Sequence, residues 1–352
     1  MSLLRQEARR NGLRLTARRA VSLTAAIGIT LTLAACGSSS TPSTGASTTG
    51  GASQVGAGKM IALSLNGNVE YNKNLATGMF QALNGTAYSS KIVQSNFDNN
   101  TELSNLQSLL AQGIKGLVIN PNTVQDALSS IKQAHAAGIP VGLATWSATT
   151  PLDQYLTTIV DIDTVAMGKE IGEYVKAHAK PGPVIVVEGV LGQGYSEGLD
   201  QGVEQALAGS GFTIVLRQQG FFDRNKAIGV VQAGLQAHPN TTAIIDYSTV
   251  MGDGIASYLK NNGYKNIIHV STVIDAEALQ WLGTPYMSAV DYYSPAETGL
   301  LAAQGVREAL EGKTPQKMVK VFHSIATKDT IAQILKDHPY QFANFLSKVN
   351  MS

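Results

Sequence analysis

The segment Gly194-Tyr195-Ser196-Glu197-Gly198, "GYSEG", has the G-x-S-x-G spacing of a serine-hydrolase nucleophile elbow. An elbow needs its serine on a sharp turn directly between a strand and a helix. Here the preceding apolar run ends near Val190, and Leu191, Gly192 and Gln193 intervene. The pattern suits a helix N-cap at Ser196, with Leu199 opening the apolar period. His323 and His338 follow in the chain order of a triad, but no motif ties either to an acid. Gly192, Gly194 and Gly198 also miss the dinucleotide fingerprint, because the third glycine comes one residue late. The segment therefore reads as a flexible, cleft-facing loop that offers Tyr195 to a ligand, and the chain is not expected to be an enzyme.

Other chemistry-bearing residues have plainer readings. "GAGK", ending at Lys59, has Ser53 where a phosphate loop has its first glycine and Met60 where it has Ser or Thr. His135, His178 and His238 sit near predicted helix C-termini, where the helix dipole favours a cation. Asp161 and Asp163 read as a helix start, with Asp163 as the cap. No H-E-x-x-H, C-x-x-C or close His/Asp cluster occurs in the sequence, so neither a metal nor a cofactor is expected.

The chain has 352 residues, 44% of them hydrophobic and 14% charged, enough for more than one core. The net charge of +1 hides an asymmetry. Residues 1–35 hold Arg5, Arg9, Arg10, Arg14, Arg18 and Arg19 against Glu7 alone, which leaves a weakly acidic body and argues against a nucleic-acid partner. After Arg19 comes a 16-residue apolar run, shorter than the roughly 20 residues of a membrane span. Residues 1–35 are read as a lipoprotein signal peptide. "LAAC", ending at Cys36, resembles the bacterial lipobox, which implies cleavage before Cys36 and lipid on the only cysteine of the chain. No intramolecular disulfide is possible. Residues 36–57, rich in Gly, Ser and Thr, form a tether.

These candidates must be held by alternating strands and helices. The predicted strands are residues 60–65, 116–120, 140–145, 183–190, 212–218, 242–247, 267–272, 286–292 and 318–323. Helical periods lie between them; in "TELSNLQSLLAQG", Leu103, Leu106, Leu109 and Leu110 make one stripe. Apolar strands separated by helices indicate an α/β fold with parallel strands buried on both faces. Two doubly wound sheets accommodate that many units; a closed barrel is the rival. Ligands of open parallel sheets bind beyond the carboxyl ends of strands. That rule selects Asn66 to Tyr71, Asn120, Thr145, Trp146, Gln193 to Ser196, Gln218 to Phe221, Asp246 to Ser248, and Tyr292 with Tyr293.

"GIKGLVINPNTVQDALSSIKQAHAAGIPV", "VDIDTVAMGKEIGEYV", "FFDRNKAIGVVQAGLQAHPNTTAII" and "ALQWLGTPYMSAVDYYSPAETGLLAAQGV" occur in this order. In sequence and spacing the chain resembles the ribose-type (type I) periplasmic solute-binding proteins of ABC importers over about residues 58–335. The resemblance implies two lobes joined by a three-crossing hinge. Lobe one would comprise residues 58–161 and 294–323, and lobe two residues 162–293 and 324–352. It implies a small ligand held between lobes that close by hinge motion. It also implies a monomer with an ABC permease as partner, exported and anchored through Cys36 to the outer face of the cytoplasmic membrane, or in the periplasm. A ligand sensor of the same fold, signalling to a membrane partner, is the alternative; a hydrolase is a distant one.

The departures from the family bear on the ligand. Following its spacing, an Asp-Arg pair becomes Thr145-Trp146, an arginine becomes Leu199, an Asn-Asp pair becomes Asp246-Tyr247, an aspartate becomes Val273 and a glutamine becomes Tyr293. The family's aromatic pair falls near Tyr71-Asn72. Buried polar groups without partners are costly, so a site stripped of them suits a less hydroxylated ligand. The expected site is an aromatic clamp of Tyr71, Trp146, Tyr195, Tyr247 and Tyr293, with hydrogen bonds from tyrosine hydroxyls, Asn66, Asn72 and Asp246. Its expected ligand is a partly deoxygenated sugar or polyol derivative, a nucleoside or a small aromatic compound.

Overall fold

The apolar runs fold into strands that lie side by side in two sheets. The computed structural model describes residues 59–144, 152–349 and 351; the lipobox cysteine, the tether and Thr145-Trp146 lie outside them. In chain order the elements are β1 (Met60–Leu65), α1 (Glu70–Leu83), β2 (Ser89–Gln94), α2 (Asn99–Ala111), β3 (Gly116–Asn120), α3 (Val124–Ala136), β4 (Val141–Ala144) and β5 (Thr158–Asp161). There follow α4 (Thr164–His178), β6 (Pro183–Glu188), α5 (Tyr195–Leu207), β7 (Thr213–Gln219), α6 (Arg224–Ala237), β8 (Ala243–Asp246), α7 (Thr249–Asn261) and β9 (Ile268–Thr272). The last are β10 (Ala289–Tyr293), α8 (Pro295–Leu310), β11 (Met318–Lys320), β12 (His323–Ala326) and α9 (Ile331–Asp337).

One sheet runs β11-β5-β4-β3-β1-β2 and the other β12-β10-β9-β8-β6-β7. The central strands β1, β3, β8 and β9 are buried nearly throughout, as parallel strands covered on both faces must be. β2 is not among the predicted strands because "SSKIVQ" is a half-buried edge strand without a continuous apolar run. Nor is β5, whose "TIVD" spans only 4 residues. Residues 318–323, predicted as one strand, are two: β11 pairs parallel with β5 and β12 pairs antiparallel with β10. The chain passes from one sheet to the other between them, at Val321 and Phe322.

Two helix pairs touch backbone to backbone through glycine. A Cβ on Gly78 of α1 would lie 1.9 Å from the Ala296 carbonyl oxygen of α8, and one on Gly299 would lie 2.0 Å from that of Leu75. In the second lobe a Cβ on Gly168 of α4 would lie 2.2 Å from the Leu199 oxygen of α5, and one on Gly202 would lie 2.2 Å from that of Val165. α4 and α8 each begin just after a crossing between the sheets. Asp163 accepts a hydrogen bond from the Ala166 N–H and caps α4; Ser294 caps α8 by accepting from Glu297.

The C-terminal stretch divides between the lobes instead of belonging wholly to lobe two. α9 buries Ile331 in a cluster with Ile274, Ala278 and Tyr292 of the second lobe. The chain then returns to the first lobe, where the Phe342 N–H donates to Thr77 Oγ1 at 3.1 Å. Phe345 stacks on Phe80 of α1 with centroids 6.5 Å apart. Residues 324–352, which the resemblance assigns to lobe two, are thus shared between the lobes, with Phe345 buried on α1.

Close helix packing yields a stability test. Gly299→Ala should lower the urea-unfolding free energy by about 1–3 kcal/mol, because a methyl forced against backbone cannot be relieved by a rotamer change. Gly229→Ala is the control: it lies on the exposed face of α6 with nothing within 4 Å of its Cβ position. It should raise stability by about 0.5–1 kcal/mol through helix propensity.

Candidate functional site

A cleft lies beyond the carboxyl ends of strands from both sheets, and encloses about 730 Å³ of atom-free space including its open mouth. The first sheet contributes Asn66 after β1 and Asn120 at the end of β3, with Glu70, Tyr71 and Asn72 from the start of α1. The second contributes Gln193, Tyr195, Tyr247, Ser248, Thr249, Val273 and Asp275. Tyr293, at the crossing after β10, and Tyr340, in the C-terminal stretch, complete the wall. Val273 is held at φ 61°, a strained conformation for a β-branched residue, and its N–H donates to the Asp291 carbonyl at 2.8 Å. That turn carries Asp275 into the cleft.

Aromatic rings form the floor and rim. Tyr293 packs edge-on against Tyr71 with centroids 6.1 Å apart and tilted against Tyr195 at 6.4 Å, so the floor spans both lobes. At the rim, Phe97 and Phe222 face each other at 6.5 Å. They occupy matching places: each follows an edge strand, has positive φ (61° and 53°), and precedes an aspartate that caps the next helix. Each ring lies over a glycine of its own lobe, Phe97 over Gly67 and Phe222 over Gly189, where a Cβ would meet the ring at 2.6 and 2.1 Å. Neither phenylalanine was singled out as a site residue from the sequence. The repeated Phe-Asp before a helix, in "NFDN" and "FFDR", is the signal that could have found them.

The polar groups separate into satisfied and orphaned sets. Tyr195 donates its hydroxyl to Thr272 Oγ1 at 2.9 Å, and Tyr247 donates to Asp200 Oδ1 at 2.6 Å. Both hydroxyls are thus committed to the protein, so these residues offer a ligand their rings. Burial pushes the hydroxyls of Tyr71, Tyr195, Tyr247 and Tyr293 well up, leaving all four protonated. In contrast, Tyr71 Oη, Asn72 Oδ1, Asn120 Oδ1 and Gln193 Nε2 are buried and have no hydrogen-bond partner among the described residues. Asn72 holds its other end by donating to Asn66 Oδ1 at 3.0 Å. Glu70 and Asp275 add two carboxyls, both raised, chiefly by burial. The cleft is therefore more polar than the family departures suggested. The loop after β9 supplies a carboxylate two residues beyond Val273.

Two residues read as ligand contacts lie elsewhere. Leu199 is fully buried in the core, on the face of α5 that meets α4. Asp246 is fully buried at the carboxyl end of the central strand β8, where Oδ2 pairs with His269 Nε2 at 2.7 Å and Oδ1 accepts from Ser271 at 2.8 Å. Strand-end position alone does not tell which way a side chain points, and Asp246 points inward. Thr145 and Trp146 fall outside the described residues. The other expected contacts, Asn66, Tyr71, Asn72, Tyr195, Tyr247, Val273 and Tyr293, all line the cleft.

"GYSEG" is the N-cap and first turn of α5, not the flexible loop that the sequence suggests. Ser196 is fully buried and its Oγ accepts from the Gly189 N–H at 3.1 Å. The N-cap of α5 is Gly194 at φ 87°, two residues earlier than expected. The loop is pinned by Glu197, whose carboxylate accepts from the N–H groups of Gly192 at 2.5 Å and Gly194 at 3.0 Å. His338 bonds Glu297 at 3.1 Å and stacks on Phe322, well occupied at the other end of the chain.

Residues 60–314 match the family model described as periplasmic binding protein domain. The chain is 25% identical to the ribose import binding protein RbsB of Escherichia coli (strain K12) over 256 residues, 72% of this chain and 86% of that protein. It is 27% identical to its namesake from Bacillus subtilis (strain 168) over 229 residues, 65% of this chain and 73% of that one. Among solved structures, the arabinose ABC transporter's binding component from Shewanella sp. ANA-3 superposes with a TM-score of 0.73 at 19% identity, covering 84% of this chain and 100% of that one. A solute-binding protein from Burkholderia graminis C4D1M, in complex with D-arabinose, gives 0.72 at 21% identity, over 78% and 96% of the two chains. These structural likenesses speak to the fold, and the family match covers most of the chain. The chain belongs to the periplasmic binding protein domain family, as a solute-binding receptor and not an enzyme.

Proposed function

We propose that this receptor captures a neutral, sugar-like ring compound between its two lobes and delivers it to an ABC permease. The observation that carries the reading is the set of orphaned polar atoms on the cleft wall: Tyr71 Oη, Asn72 Oδ1, Asn120 Oδ1 and Gln193 Nε2. A buried donor or acceptor left unpaired costs about 1–3 kcal/mol, so these atoms favour a ligand that returns their hydrogen bonds. Ring hydroxyls do so: they donate to the two asparagine carbonyls and to Asp275 or Glu70, and accept from Gln193 and Tyr71. Phe97 and Phe222 cover the apolar faces of the ring from opposite lobes. The names of the similar proteins, which concern ribose and arabinose, support the same class. Recognition through few hydroxyls, with the clamp extended by Trp146, is the finer form of this proposal.

The lipobox-like segment supports retention at the outer face of the cytoplasmic membrane through Cys36. Among the described residues, no helix is long and apolar enough to cross a membrane. A lipid anchor with a Gly/Ser/Thr tether would keep the receptor near its permease.

Mass spectrometry of small molecules released from the purified receptor should identify a sugar-like compound, and calorimetry should then give its affinity. With that compound, Phe222→Ala should weaken binding by about 1–3 kcal/mol, roughly 5- to 150-fold, as loss of a stacking ring does. Tyr195→Phe should keep the affinity within about threefold, because the hydroxyl serves Thr272 and the ring remains. Wild-type affinity in both Phe222→Ala and Gln193→Ala would overturn the assignment of the site.

Membrane retention has its own measurement. In detergent phase partitioning of producing cells, wild type should follow the detergent and Cys36→Ser should follow the water, since stable anchoring needs acyl chains. Equal partitioning of the two would remove Cys36 as the anchor.

A further inference from the structure

Each of the three chain crossings delivers a metal-ligand side chain to the same point. α4 begins just past the first crossing and carries Glu170. β10 ends just before the second and carries Asp291. β12 begins just past the third with His323. His323 Nδ1 lies 3.7 Å from Asp291 Oδ1 and 3.7 Å from Glu170 Oε2. The three ligand atoms all lie within 4.8 Å of one another.

Asp291 makes this more than a group of acids. Its side chain is 0% exposed and faces His323 as an ion pair at 3.7 Å, yet neither carboxylate oxygen nor His323 Nδ1 has a partner at hydrogen-bond distance among the described residues. A buried carboxylate without hydrogen bonds is costly and draws a cation, which a proton on His323 supplies and a metal ion would replace. A direct imidazolium–carboxylate bond would draw N and O to about 2.7–2.9 Å. Ligands around a tetrahedral ion with bonds of about 2.0–2.2 Å stand about 3.3–3.5 Å apart. The two 3.7 Å separations from His323 Nδ1 are closer to the second arrangement.

We propose that Glu170, Asp291 and His323 form a binding site for a divalent transition-metal ion at the base of the hinge. One imidazole nitrogen and two carboxylate oxygens suit Zn²⁺ and its first-row neighbours. Glu170 is half-exposed, which gives the ion a path from solvent and leaves room for water as a fourth ligand. The ion ties the second-lobe ends of all three crossings together. It also fixes Asp291, two residues before Tyr293 on the cleft floor. The three ligands are far apart in the chain, so no spacing motif announces them.

The test uses the full chain, stripped with a chelator, with Zn²⁺ and Co²⁺ as probes. Calorimetry near pH 7 should show one Zn²⁺ per chain, and Zn²⁺ should raise the thermal midpoint. Co²⁺ should give visible d–d absorption from a site of low coordination number. Glu170→Gln, on the exposed side of α4, and the isosteric Asp291→Asn should each weaken Zn²⁺ at least tenfold, while Glu173→Gln on the same helix leaves it unchanged. Thermal unfolding of the metal-free variants verifies that they fold, and Glu170→Gln carries the test if Asp291→Asn does not. Failure of the wild type to bind Zn²⁺ or Co²⁺ stoichiometrically overturns the proposal. So does unchanged affinity in the Glu170 variant, or an equal loss in Glu173→Gln.

Discussion

The close contact of helix backbones through glycine is the constraint on which the cleft depends. Gly78 and Gly299 let α1 and α8 touch; Gly168 and Gly202 do the same for α4 and α5. In each pair one helix has just crossed from the other sheet, and its partner opens at the cleft. Tyr71 is the second residue of α1, and Tyr195 is the first of α5. Tyr293 stands two residues before α8. The three rings that meet on the floor are therefore placed by the depth to which two helix pairs interlock. A side chain at any of these glycines would move a ring as well as a helix.

The cleft wall divides labour between rings and polar atoms. Tyr195 and Tyr247 donate their hydroxyl protons to Thr272 and Asp200, which holds the rings in place and leaves those oxygens no proton to donate elsewhere. Behind Tyr247, Arg217 reaches Asp200 at 3.3 Å and Glu204 at 2.7 Å, and burial together with Asp200 pushes the Glu188 carboxyl up to about 7. The groups left for a solute are those with no partner inside the protein: one tyrosine hydroxyl and three amide atoms. On the proposed reading, directional recognition would come from neutral side chains, with Glu70 and with Asp275, which also accepts from Thr249 and the Ala278 N–H, as the acidic exceptions.

Phe97 and Phe222 show how two lobes reach the same solution through a shared Phe-Asp pair before a helix. Each ring is turned inward by a positive φ and lies over a glycine past the first strand of its lobe. The C-terminal stretch breaks this symmetry. It leaves the second lobe after α9, presents Tyr340 to the cleft and docks Phe345 on α1. One wall of the cleft thus belongs to a segment that bridges the lobes.

The sequence alone determined the alternation of strand and helix, the strand ends from which ligand-facing residues project, and the resemblance that names the family. These are local properties: an apolar run of five residues between helical periods is buried in the interior of a parallel sheet. Most of the tyrosines and asparagines selected at strand ends do line the cleft, because the fold rule behind that selection concerns backbone position. Edge strand β2 escaped notice because an edge needs little apolar surface. Side-chain direction was decided only by the tertiary structure. Asp246 and Tyr247 are neighbours in sequence, yet one turns under the sheet to His269 and the other toward the cleft. Leu199 is drawn into the contact between α4 and α5. Asp275 reaches the cleft because Val273 accepts a strained turn, and Glu170, Asp291 and His323 meet because three crossings converge. None of these has a sequence period, since each depends on atoms brought together from distant parts of the chain.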